Sequence, residues 1–193
     1  MKKLYLSITI AIGLILTGYY FQDTLIKYNP FPPKNGICRY NKWVDEPFLY
    51  QIFKEEANLL FADPKAPHNF YPKQMLQYMS PIDNKKYYGQ IQMRFIRENG
   101  KTVAFTVYYK KNFFKGQLLF LGVLDGYRKK GYATELIKYV MKDLERQGCT
   151  SIQWVTKVIN TRAQNLYNKL GFKLLGVWDE HYHYEYTPKE HRK

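Results

Sequence analysis

Residues 128–134, Arg-Lys-Lys-Gly-Tyr-Ala-Thr, have the types and spacing that hold an anion. Arg128, Lys129 and Lys130 bring positive charge to the mouth of a turn. Gly131 lets an anion come close to the main chain, where a Cβ would stand in the way. Before the turn lies an apolar run of strand length, Leu118–Leu124. After it, Ala133, Leu136, Ile137, Val140, Met141 and Leu144 recur at spacings of three and four, with Glu135, Lys138, Lys142, Asp143 and Glu145 on the other face. That periodicity predicts an amphipathic helix, closed by Gly148 as a left-handed cap with Arg146 in the last turn. The first N–H groups of such a helix have no intrahelical partners, and the positive end of its dipole favours negative charge.

The spacing excludes two common phosphate loops. No G-x-x-x-x-G-K-[ST] occurs, and the three glycines of the dinucleotide fingerprint are missing. Asn160, just before a second short helical pattern, is of the type that caps a helix start. His181, His183 and Glu185 alternate on one face of a predicted strand. H-x-H can bring two imidazoles to a metal, but no third cluster accompanies them, and a polar exposed strand face is the simpler reading; no metal is expected. Cys38 and Cys149 allow either one disulfide or two reduced thiols.

The elements that must position these residues follow in order. Ile37–Val44 is a short strand. Asp45-Glu46-Pro47 looks like a helix start, with Phe48, Ile52, Phe53, Ala57, Leu60 and Phe61 as the buried face. A second, shorter helix lies near Pro72–Met79. Tyr88–Arg97 and Thr102–Tyr109 alternate as strands around an Asn99-Gly100 hairpin turn. A turn over 110–116 leads into the Leu118–Leu124 strand and the helix already described. Strand Thr150–Val158, helix Thr161–Leu170 and strands near Phe172–Trp178 and His181–Tyr186 complete the chain. This order is not strict βα alternation and predicts an α/β domain, a mixed sheet with helices on both faces.

Two segments together resemble a known family. Arg128-x-x-Gly131-x-Ala133, after a strand ending Leu121-Gly122-Val123, resembles the acetyl-CoA pyrophosphate loop of the GCN5-related N-acetyltransferases (GNAT). Asn160-Thr-Arg-Ala163-Gln-Asn-Leu-Tyr167-Asn-Lys-Leu-Gly171-Phe172 resembles that family's second motif at its usual distance. The close resemblance covers about residues 116–175, and the element order matches the family's from about Ile37 to Tyr186. It implies that the strands on either side of the central helix splay apart, and that main-chain groups of Leu121 and Val123 pair with the pantetheine arm of acetyl-CoA. Arg128, Lys129, Gly131, Tyr132, Ala133 and Thr134 would surround the pyrophosphate, largely through main-chain N–H groups. Asn160 would hydrogen-bond the cofactor arm besides capping its helix. Tyr167 would protonate the departing thiolate; a phenol near pKa 10 against a thiol near 8.5 is still protonated at neutral pH. Tyrosine is abundant, with 19 residues, and Ala163, Leu166 and Leu170 mark a core face, so simple packing of Tyr167 is the competing reading. The family's frequent glutamate base is missing from Leu118–Leu124, where Gln117 is the only polar flank; water relays could replace it.

The 193 residues suffice for one domain and an appendage, and 46% hydrophobic with 18% aromatic composition is that of a folded chain. Lysine and arginine number 30 against 16 acids, a formal charge of +14. The positives are scattered rather than clustered, so a solvated surface competes with attraction to nucleic acid, an anionic membrane or an acidic substrate. No nucleic-acid motif is present, and that partner is not expected. Lys2 and Lys3 precede Leu4–Phe21, eighteen uncharged residues. As a helix these would span roughly 27 Å, enough to cross a hydrocarbon core. Tyr19, Tyr20 and Phe21 resemble an interfacial aromatic belt, and Leu16-Thr-Gly-Tyr-Tyr-Phe is a poor small-x-small cleavage site. The segment 1–21 therefore reads as a single-pass membrane anchor, the alternative being a cleaved signal and export. Residues 22–36 are a proline-rich linker, and 37–193 form the domain. Flanking charges lean slightly toward sending the domain outward, while acetyl-CoA belongs to the cytoplasmic side, and the chemistry is given precedence. The expected function is transfer of acetyl from acetyl-CoA to a primary amine acceptor (small molecule, peptide N-terminus or lysine) by direct attack in a ternary complex. The alternative is a tethered, non-catalytic acyl-CoA-binding module.

Overall fold

A computed structural model describes residues 35–60, 67, 70–78 and 88–188. The proposed anchor and nearly all of the linker lie outside them. Among the described residues, seven strands form one mixed sheet in the order β1-β2-β3-β4-β5-β7-β6. They are β1 (Gly36–Arg39), β2 (Tyr88–Glu98), β3 (Lys101–Lys110), β4 (Lys115–Val123), β5 (Ser151–Lys157), β6 (Lys173–Trp178) and β7 (His181–Tyr186). The helices are α1 (Lys42–Glu55), α2 (Ala57–Leu60), α3 (Phe70–Tyr78), α4 (Tyr132–Arg146) and α5 (Thr161–Lys169). All pairings are antiparallel except β4 with β5.

Strand β3 is buried from Thr102 to Tyr108, because helices cover both faces of the sheet there. Phe105 and Val107 join α1 and α3 through Phe48, Leu49, Ile52, Phe53 and Met75. Ala104 and Tyr108 turn the other way, toward Leu136, Ile137, Val140 and Leu144 of α4. The period-two alternation of β3 thus divides the core into two layers. Asn99 and Gly100 both have positive φ, 51° and 77°, as a two-residue hairpin turn requires.

The first helix departs from expectation. It begins at Lys42, with Asn41 as N-cap accepting from the Trp43 N–H at 3.0 Å. Asp45 reaches back to the Asn41 N–H at 2.6 Å and is fully buried, taking Arg97 at 2.5 Å and the Thr102 hydroxyl at 2.6 Å. Asp45 is therefore a core ion-pair partner one turn inside the helix, and Pro47 sits within the helix. The β1 strand is correspondingly shorter than predicted. Neither Cys38 nor Cys149 is in a disulfide; Cys38 donates to Gly36 O at 3.4 Å, and burial raises the pKa of the Cys149 thiol.

Candidate active site

The site forms where β4 and β5 part. They pair in parallel at Lys115↔Ser151, Gly116↔Ile152 and Gln117↔Gln153 and no further. On its other edge β5 pairs with β7 from Ile152 to Lys157, and β4 pairs with β3 along its own far edge up to Val123. A register shift between Val107 and Tyr108, opposite Leu119, bends β4 as it leaves. The Leu124 N–H bonds Val103 O at 2.9 Å. By the alternation of an antiparallel ladder, Gly122 also faces β3, and the main-chain groups of Leu121 and Val123 face the gap. The gap opens into a cavity of about 740 Å³ lined by residues that include Leu121, Val123, Arg128, Lys129, Gly131, Tyr132, Ala133, Thr134, Asn160 and Tyr167. The structure thus brings every sequence-predicted site residue to one cavity.

Its anion-binding end is built mainly from the backbone. Lys129 and Gly131 both have positive φ, 63° and 91°; the first is unusual for a residue with a Cβ and marks a constrained turn. A Cβ added at Gly131 would meet nothing within 4 Å, so glycine serves the backbone angle and leaves open space above it. The first ladder bond of α4 runs from the Glu135 N–H to Gly131 O at 3.0 Å, so the N–H groups of Tyr132, Ala133 and Thr134 precede the ladder.

The basic side chains behave differently from the expectation of free charge at the mouth. Arg128 is engaged by the carboxylates of Glu56 and Asp125 and donates to Val123 O at 3.2 Å. Lys130 lies 3.3 Å from Glu98, which also accepts from the Tyr132 hydroxyl at 2.8 Å. That hydroxyl, with Lys130 beside it, lowers the Glu98 pKa. Among the described residues Lys129 is the loop cation with no carboxylate partner. Glu56 and Asp125 are the carboxylates of the cavity lining, and both face Arg128. Sequence reading missed Glu56, since nothing near it signals a partner 72 residues away.

At the other end of the cavity, Asn160 caps α5, its side chain accepting from the Ala163 N–H at 3.2 Å. Tyr167 is 3% exposed. Its ring packs on Trp154 at 4.6 Å, Tyr184 at 5.3 Å and Phe172 at 5.9 Å. Burial raises its pKa, against hydrogen bonding by Trp154 and Thr156 that lowers it. The phenol is therefore protonated throughout the neutral range, at the boundary between core and cavity. His183 is drawn elsewhere, stacked on Trp178 at 4.1 Å, and Glu185 accepts from Gln153 at 3.0 Å. Among the described residues no three His, Cys, Asp or Glu side chains gather to hold a metal.

The description of the acetyltransferase (GNAT) family matches residues 47–172. The chain belongs to that family. It is thus an N-acetyltransferase that uses acetyl-CoA, and the parted strands, the left-handed Gly131 and the free N–H groups suit a long polar cofactor with a pyrophosphate. N-alpha-acetyltransferase 30 of Schizosaccharomyces pombe is 24% identical over 132 residues, covering 65% of this chain and 81% of that protein. An N-alpha-acetyltransferase of Sulfurisphaera tokodaii is 36% identical over 69 residues, covering 35% of this chain and 41% of that one. Among solved structures, a GCN5-related N-acetyltransferase from Kribbella flavida superposes with TM-score 0.63 at 16% identity, over 79% of this chain and 96% of that chain. The PaiA N-acetyltransferase of Thermoplasma acidophilum, in complex with coenzyme A, gives 0.61 at 16%, over 79% and 98%. At these identities the structural likeness speaks for the fold. The competing idea of a non-catalytic binding module finds no support in these comparisons.

Proposed function

We propose that this N-acetyltransferase acetylates α-amino groups of peptide or protein N-termini, by direct attack in a ternary complex. The reading is carried by the cleft between β4 and β5, with an anion-binding helix start at one end and the Tyr167 phenol at the other. Similarity to N-alpha-acetyltransferases favours the peptide N-terminus over a polyamine or a lysine side chain. Acetyl-CoA supplies the thioester carbon that the amine attacks and the thiolate that departs. Leu121 and Val123 offer main-chain groups to its arm, and Asn160 adds a side-chain oxygen. The N–H groups of Tyr132, Ala133 and Thr134, with Gly131 and Lys129, hold the pyrophosphate; Arg128 stiffens the turn through Glu56 and Asp125.

Tyr167 donates a hydrogen bond to the sulfur as negative charge builds there. Its raised pKa makes complete proton transfer to an exposed thiolate unfavourable. Desolvation raises the proton affinity of a buried thiolate as well, which brings the two closer. Both lining carboxylates are engaged by Arg128, so the amine proton leaves through water. The apolar segment 4–21 lies outside the described residues, and no helix among those described is long and apolar enough to cross a membrane. Its composition supports a single-pass anchor, and the use of acetyl-CoA, against a slight outward lean of the flanking charges, supports the domain on the cytoplasmic side.

Acetyl transfer to a panel of free-N-terminus peptides, Nα-blocked lysine peptides and polyamines, followed by mass spectrometry, tests the acceptor. Product on the α-amine is expected; product confined to lysine or polyamine overturns the choice. Gly131→Asp places a carboxylate against the pyrophosphate, and calorimetry should show severe loss of acetyl-CoA binding. Unchanged affinity in a folded variant removes the cofactor assignment.

A further inference from the structure

The hairpin joining β3 to β4 carries Phe113 and Phe114 at its tip, 65% and 61% exposed, with ring centroids 5.6 Å apart. The tip is stiff. Asn112 Oδ1 accepts from the N–H groups of Phe114 at 3.0 Å and Lys115 at 2.9 Å, and the Lys111 N–H donates to Lys115 O at 2.8 Å. Phe114 O in turn accepts from the Thr150 N–H at 2.8 Å, tying the tip to the start of β5. Two aromatic rings thus stand largely in water on a braced turn. A preorganised apolar projection loses little entropy when it docks.

The surroundings of the rings identify the partner. Lys111 and Lys115 are exposed on either side, and Lys110 places its ammonium 5.1 Å from the Phe113 centroid. Lys110 bonds Gln147 O and Lys111 bonds the neutral Gln153. Among the described residues none of the three forms a direct ion pair with a carboxylate; Glu185 lies one residue further, beyond Gln153.

We infer that the Phe113–Phe114 tip, with its lysines, docks on an anionic lipid surface, the rings entering the headgroup boundary and the ammoniums meeting lipid phosphates. Aromatic side chains ringed by basic ones suit that boundary. A second copy fits poorly, because two such basic tips would repel each other. The tip and the pyrophosphate loop lie at opposite ends of β4, roughly 25 Å apart at the usual rise per residue, so docking leaves the cofactor end of the cleft open. Docking of the tip makes no demand on the apolar N-terminal segment, which every variant tested carries unchanged.

The test uses the full chain with Phe114→Trp, mixed with vesicles of brominated phosphatidylcholine, with and without phosphatidylserine. Bromine near the glycerol end of the acyl chain quenches a tryptophan at the boundary. Quenching beyond that of Trp43, Trp154 and Trp178 in the unaltered chain is expected with phosphatidylserine and should fade as salt rises. Adding Lys111→Gln and Lys115→Gln should shift the docking equilibrium about 25-fold, roughly fivefold per lysine. Acetyl transfer by the same variants should be unchanged, showing that the fold is intact. An unquenched tryptophan overturns the inference, as does quenching that is equal in neutral vesicles and indifferent to the lysines. Lipid-independent burial of the tryptophan that grows with protein concentration would point instead to self-association and overturn it as well.

Discussion

Two aromatic clusters flank β4, and they are made of different residues. Toward α1 the rings are mostly phenylalanines. Phe53 lies 5.7 Å from Phe105 and 5.1 Å from Phe120, and Phe48 lies 5.8 Å from Phe105. Toward α5 they are Trp154, Tyr167, Phe172 and Tyr184, at similar spacings. Both clusters fill space. The first also takes in Tyr40, against Phe95, and Tyr71, against Phe53 and Phe120, at its margin, while the second has Tyr167 and Tyr184 buried within it; a buried hydroxyl is costly unless it has a partner. The Tyr167 hydroxyl has Trp154 and Thr156 as hydrogen-bond partners in the core, and the residue also lines the cavity. The first cluster holds the sheet together; the second also equips the cleft.

The largest expected effect separates them directly. Tyr167→Phe keeps the ring and removes the donor, so single-turnover acetyl transfer should fall about 10²–10⁴-fold, the range of general acid catalysis. Acetyl-CoA affinity and thermal midpoint should hardly move. Unchanged transfer would reduce the second cluster to packing and erase the contrast.

Next in size is the reverse case. Phe53→Ala or Phe105→Ala empties a fully buried site and should cost about 3–5 kcal/mol of stability in urea unfolding. Transfer per folded molecule should be kept. Loss of rate without loss of stability would show that the α1 side takes part in the chemistry.

Gly122 joins the two regions, because a Cβ there would meet the Phe105 ring at 2.5 Å and Ile52 at 2.8 Å. Gly122→Ala should destabilise by about 1–3 kcal/mol through overpacking, and should raise KM for acetyl-CoA because β4 must shift at the edge of the gap. A shift in stability with KM untouched would show that the two sides of β4 are independent.

The smallest effect is with pH. Burial raises the pKa of Tyr108 and Tyr167, so the fold keeps their protons where the unfolded chain begins to release them, near pH 10. Their contribution is complete below that pH and is lost as pH climbs toward the folded values. Phenolate absorbance should therefore rise together with loss of ellipticity, and Tyr167→Phe should flatten the alkaline slope. On the phenylalanine side Tyr40, whose pKa is also raised by burial and by Glu46, adds to the same slope. Titration of all tyrosines in the still-folded chain would contradict the burial of both hydroxyls.

The sequence by itself determined the features that depend on neighbours along the chain. The turn from Arg128 to Thr134, the cap at Asn160, the Asn99-Gly100 hairpin and the alternation of β2 and β3 are set within a few residues by backbone angles and periodicity, so they could be read directly. The anchor proposed for residues 1–21 is equally local, though it lies outside the described structure. Tertiary structure decided what depends on distant partners. Asp45 resembled a helix cap because its partners Arg97 and Thr102 lie more than fifty residues on. Arg128 resembled a free cation because Glu56 meets it only after α1 has packed. The cleft itself exists because β4 and β5 pair only at 115–117 and 151–153 and then part, while each keeps its other neighbour in the sheet. Hydrogen-bond partners across strands are chosen by the packing of the whole sheet, and no local pattern carries that choice.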